Sequence, residues 1–206
     1  MDGFMKINLG LASLAFISSL SFGSFATEKS EAGNGHGQFS ARAPAFVLKD
    51  PAGGEHRGAE IFGKYGMLIM ITVPNLAQYE KSKLWDKYLE KHPWPAHNAP
   101  QRVLLEDLSQ QTSFKEKVRG LMKQAYKPDE KLLVVVDENG DVRRGFGIMN
   151  NETVILLVDS DGRIVHNECD DVEPGHESAT RLMRQVKQLA EQQGAKVLAS
   201  AQMTSK

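Results

Sequence analysis

The chain reads as an α/β fold built on a mixed sheet, and three observations lead there. Apolar, β-branched runs alternate with amphipathic helical stretches through the middle of the sequence, an order that implies right-handed crossovers and a parallel core. A turn signal at Lys49-Asp50-Pro51-Ala52-Gly53-Gly54 precedes them, and Asp159-Ser160-Asp161-Gly162 follows, so antiparallel hairpins are expected at both ends of the sheet. Length sets the scale: 206 residues, less a leader, make one domain large enough to bury a core.

Taken in order, Lys6 precedes an apolar run from Ile7 to Phe22, and Ser24-Phe25-Ala26 supplies small residues where a signal peptidase inspects the chain. Residues 1–26 are therefore expected to be a signal peptide, with Thr27 opening the mature chain and Met5 offering an alternative start. The run is broken by Ser13, Ser18, Ser19, Ser21 and Gly23 and is short for a span of about 20 residues, so no membrane span is expected after leader cleavage. Residues 27–43 are Gly-, Ser- and charge-rich and read as a flexible tether. The domain proper is expected over 44–193, with 194–206 as a flexible tail.

Within the domain, Phe46-Val47-Leu48 and Glu55 to Arg57 form the opening hairpin. Met67 to Val73, apolar except for Thr72 and bounded by Gly66 and Pro74, has the pattern of a central strand buried on both faces. Asn75 is a good N-cap with Gln78 three residues on, which predicts a helix to about Leu89 with Leu84, Trp85, Tyr88 and Leu89 inward. His92-Pro93-Trp94-Pro95 stops it. Val103-Leu104-Leu105 is a second strand, and Ser113 with Glu116 caps a helix whose inner stripe is Phe114, Val118, Leu121, Met122 and Ala125. Leu132 to Val136 is a third strand, turned by Asp137-Glu138-Asn139-Gly140. Thr153 to Val158 and Arg163 to His166 make the closing hairpin. A last helix from about Gly175 to Gln192 buries Ala179, Leu182, Met183, Val186, Leu189 and Ala190.

Four segments, FVLKDPAGGEHRG, GKYGMLIMITV, LVVVDENGDVRRGFGI and TVILLVDSDGRIVH, resemble the thioredoxin-like superfamily, in the peroxiredoxin and periplasmic thiol-reductase branch that opens with a hairpin. The resemblance runs from about Ala45 to Leu189 and implies a three-layer sandwich. Where that superfamily keeps its cysteines, this chain reads Val73-Pro74-Asn75-Leu76-Ala77, and Thr153 falls at the cis-proline position. A thiolate at a helix start becomes a nucleophile because the helix dipole lowers its pKa, and here there is no sulfur to lower. The leader, the core and the Cys-less junction together resemble the YtfJ-like periplasmic family.

Composition narrows the chemistry. Lys and Arg number 25 against 26 Asp and Glu, so there is no broad field for nucleic acid or anionic lipid. Cys169 is the only cysteine, which excludes an intramolecular disulfide. It lies between Glu168 and the pair Asp170-Asp171, carboxylates that raise a thiol pKa and make a poor nucleophile. His92 and His97, and His166 and His176, stand outside helical ligand spacing, so neither a metal nor a cofactor is expected. The expected role is an exported binding or accessory module, periplasmic or secreted, with a protein partner in the cell envelope. Its candidate surface is Pro74, Asn75, Leu76 and Thr153 together with the Trp94 loop. The alternative is a redox enzyme, a one-cysteine peroxidase or reductase, working through Cys169.

Overall fold

The computed structural model describes residues 41–111, 115–128, 131–168 and 177–204. Seven strands form one sheet: β1 (Val47–Lys49), β2 (Glu55–Arg57), β3 (Met67–Thr72), β4 (Gln101–Asp107), β5 (Leu132–Asp137), β6 (Val154–Val158) and β7 (Ile164–Glu168), in the order β2-β1-β5-β4-β3-β6-β7. The pairs β3·β4 and β4·β5 are parallel and every other pair is antiparallel. All six residues of β3 are buried, as a continuous apolar run demands when both faces of a strand are covered.

The helices are α1 (Gly58–Phe62), α2 (Leu76–Lys91), α3 (Lys115–Ala125), α4 (Asp141–Gly145) and α5 (Glu177–Thr204). The crossovers β3–α2–β4 and β4–α3–β5 step the same way across the sheet, which places both helices on one face. There Trp85 and Leu89 of α2 and Leu182, Val186 and Leu189 of α5 pack on Leu68, Met70, Leu104, Ile155 and Leu157. Val118 and Met122 of α3 cover Val136 beside them. The chain then returns to the far side of β3, and the opposite face is closed by Phe46, Leu48, Val142, Phe146 and Ile148.

Several expectations are corrected. Leu84 is 42% exposed: the inner stripe of α2 is Ser82, Trp85 and Leu89 at helical spacing, and Leu84 lies off it. Residues after Asp137 form α4 rather than a bare turn, because Asp137 accepts the backbone N–H groups of Asp141, Val142 and Arg143 and so caps a helix. α1 carries no amphipathic repeat that would announce it. α5 runs on to Thr204 where an irregular tail was expected, since Ala195, Lys196, Leu198 and Ala199 are strong helix formers and a lone Gly194 does not stop them. β4 extends to Asp107, two residues past Leu105, and this carries two carboxylates into the sheet. The expected cap at Ser113 and the residues Phe114, Cys169, Gly175 and His176 lie outside the described residues.

Candidate functional site

β3 delivers the chain to Pro74 and Asn75 at the carboxyl end of the sheet. Asn75 is exposed, and its side chain accepts the N–H of Gln78 at 3.0 Å, which starts α2 as its residue type predicts. Gln78 does not close the box by reaching back. Its side-chain oxygen instead accepts the backbone N–H of Thr153 in a close contact. The Thr153 hydroxyl shares a buried 3.0 Å hydrogen bond with that of Thr72, and Gln111 donates to the carbonyl of Pro74 at 3.1 Å. All peptide bonds among the described residues are trans, that before Thr153 included. The polar groups of this junction thus hydrogen-bond one another, and none of them is a thiol.

Beneath them lies a buried charged cluster. Glu106 is 3% exposed and stands in register with Thr72 of β3 on one side and Val136 of β5 on the other. Burial, aided by the neighbouring Asp107, pushes its carboxyl up to about 8. Asp107 faces the other side of the sheet, accepts the N–H of Ser109 and lies 3.8 Å from Arg143. Arg143, on α4 and 4% exposed, donates through Nε to the carbonyl of Asn150 at 2.9 Å and through Nη2 to the carbonyls of Asn150 and Glu152. Burial lowers its pKa, opposed by Asp107, Glu152 and Asp137. The guanidinium therefore clamps the loop that leads into Thr153, and on that loop Met149 is 80% exposed.

Pro74, Asn75 and Thr153 are thus brought together, with Leu76 opening α2 beside them. Trp94 is not. It follows the far end of α2, a helix of 16 residues and so about 24 Å long. There it is half-buried against the Trp85 and Leu89 cluster, with the Arg102 guanidinium 5.9 Å from its ring. The described histidines that bear on metal binding have other surroundings: His92 stacks on Tyr88 and donates to its carbonyl, and His166 is buried, which lowers its pKa. Among the described residues no group of three or more His, Cys, Asp and Glu is placed to hold a metal ion, and no helix is long and apolar enough to cross a membrane.

Glu106, Asp107, Arg143 and Met149 escaped sequence reasoning. For the first two a signal existed, an acidic pair set between Leu105 and Leu108 at the end of an apolar run. For Arg143 and Met149 none did, because only the fold shows what each one meets.

Solved structures share the arrangement. One is a hypothetical protein from Sinorhizobium meliloti, 17% identical, with a TM-score of 0.52 over 75% of this chain and 85% of that one. Another, from Bacteroides thetaiotaomicron and described as a candidate protein disulfide isomerase, is 18% identical with a TM-score of 0.52, covering 75% of this chain and 91% of its own. The fold is thioredoxin-like. A third, the C-terminal domain of a candidate thiol-disulfide oxidoreductase from the same organism, has a TM-score of 0.50 at 17% identity, over 76% of this chain and 98% of that domain. At these identities the likeness is one of fold alone. No protein-family model matches the chain, and no curated protein does.

Proposed function

We propose that the chain is an exported thioredoxin-like domain of the YtfJ-like kind, which works without thiol chemistry at its strand–helix junction and binds a protein partner in the cell envelope. The observation that carries the reading is the junction itself, where Asn75, Gln78, Thr72 and Thr153 hydrogen-bond one another in place of a reactive group. The leader-like residues 1–26 support export. An exposed Met149 on a loop held by a buried arginine supports a contact surface, since a large apolar side chain in water on a rigid support is what a protein interface uses.

The test is capture from a cell-envelope extract with the mature chain, beside Cys169→Ser and Met149→Asp versions under non-reducing conditions. The reading expects the same partner with the wild type and with Cys169→Ser, and its loss with Met149→Asp. Loss with Cys169→Ser would overturn it in favour of a thiol-dependent enzyme.

A further inference from the structure

We propose that the seam between β1 and β5 binds an N-acylated amino acid, free or as the carboxyl end of a peptide: the main chain of Val47 pairs with the ligand's amide and carboxylate, and Lys123 meets its charge. This is a second site, which shares no residue with the Asn75–Thr153 surface.

β1 and β5 are neighbours in the sheet but pair at a single position, Lys49 with Val136. Towards its start β1 parts from β5, whose chain turns after Asp137 into α4, and a cavity of about 800 Å³ opens between them. That volume suits a small organic ligand, for which about 300–1,000 Å³ is usual. Pro44, Val47, Pro51, Val136 and Val142 give it an apolar wall, and α3 contributes Arg119 and Lys123.

Two groups in this cavity are left to bind. The first is main chain. Along an antiparallel pair the bonded residues alternate, and on β1 the bonds to the β2 side fall on Phe46, which accepts the N–H of Gly58, and on Asp50, which donates to Gly54. Val47 and Lys49 therefore turn their N–H and C=O groups the other way, towards β5. Lys49 stands opposite Val136 there, whereas Val47 has no β5 residue opposite, is 50% exposed, and finds no partner for these groups among the described residues. The second is charge. Each acid in the walls is already matched: Asp50 by His56 at 3.0 Å and the N–H of Gly54, Asp137 by three backbone N–H groups, Glu138 by Arg119 at 2.7 Å, and Asp141 by Arg144 at 2.6 Å. Arg119 is taken up in that pairing and Lys49 lies 3.8 Å from Glu55, which leaves Lys123 as an exposed ammonium without a partner among the described residues.

An extended residue with both main-chain groups open is completed by one that offers a C=O and an N–H in return, as an added strand does. One residue of edge takes one residue of ligand. The amide N–H of an N-acylated amino acid donates to the Val47 carbonyl, its carboxylate accepts from the Val47 N–H and the Lys123 ammonium, and its apolar groups lie on the wall. A fatty acid lacks the amide and leaves the Val47 carbonyl unmet; an amine brings Lys123 a charge of its own sign.

N-acetyl-leucine titrated into the mature chain, with amide shifts and amide exchange read residue by residue, tests this. The expected result is saturable shifts at Val47, Val136 and Lys123 and about tenfold slower exchange of the Val47 amide at saturation. Binding should be about tenfold or more weaker for N-acetyl-leucinamide, which lacks the charge, for octanoate, which lacks the amide, and for N-acetyl-leucine with Lys123→Glu. No saturable change at Val47 sinks the proposal, as does equal binding of N-acetyl-leucinamide or octanoate to the wild type, a comparison that needs no variant to fold. Acetyl-Ala-Ala-Leu separates the two sources: tighter binding than N-acetyl-leucine supports peptide carboxyl ends, and weaker binding supports free acylated amino acids.

Discussion

The two ends of the sheet are built differently. Where β4 begins, Trp94 lies on an apolar cluster and Arg102 forms a 2.9 Å ion pair with Asp86, so this charge is matched and the aromatic ring is spent on packing. Where β3, β4 and β5 finish, Glu106, Asp107, Asp137 and Arg143 are all buried, Glu106 lacks a partner among the described residues, and a methionine stands in solvent above them. Burying charge costs stability unless it is matched. An end that carries such a cost beside an exposed apolar residue is the one the proposed function uses, and of the two surfaces the sequence offers, the junction is proposed over the tryptophan loop.

Four substitutions would break or sharpen that contrast. The largest effect belongs to Glu106. Its folded pKa of about 8 lies above the ordinary 4.5, so the folded state holds the proton longer; stability is fullest below the ordinary value and is lost as pH rises towards 8. At about 1.4 kcal/mol per unit the loss reaches up to about 5 kcal/mol. Glu106→Gln should therefore be more stable than the wild type in urea melts at high pH and equal to it in acid. Equal curves at both would show that Glu106 meets a partner.

Next comes Arg143→Ala, which leaves Asp107 as an unpaired buried charge and strips the Asn150 and Glu152 carbonyls of their donor. A loss of roughly 3–5 kcal/mol is expected from denaturant midpoints, with faster exchange confined at first to the loop carrying Met149. Trp94→Ala, at the opposite end, should cost about 2 kcal/mol because the ring is only half-buried, and should leave partner capture intact. Lost capture there would reverse the assignment of the two ends. Met149→Asp should change stability by under about 0.5 kcal/mol and still abolish capture, since its side chain touches solvent and not the core.

Much of the architecture was legible because it follows from periodicity. The continuous run Met67 to Thr72 became the fully buried β3, Asn75 capped α2 as its chemistry predicts, and the stripe Ala179, Leu182, Val186 and Leu189 became the buried face of α5. The resemblance led to the thioredoxin-like fold and placed Thr153 opposite the helix start, where it hydrogen-bonds Gln78 and Thr72. The candidate surface was legible only in part. Pro74, Asn75 and Thr153 converge, but Trp94 followed a helix that carries it to the far end, and no local pattern reports that direction.

What the chain determined by itself were the properties carried by neighbours in sequence: strand and helix stretches, caps, the absence of sulfur at the junction and the near-zero net charge. Tertiary structure alone decided that Glu106 is buried beside Asp107 with no counter-ion among the described residues, that Arg143 reaches across to the carbonyls of Asn150 and Glu152, and that Gln78 turns from its own helix to Thr153. The physical reason is that a charge's free energy depends on what surrounds it within a few ångströms. For these residues the surroundings are assembled from strands and helices far apart in the chain.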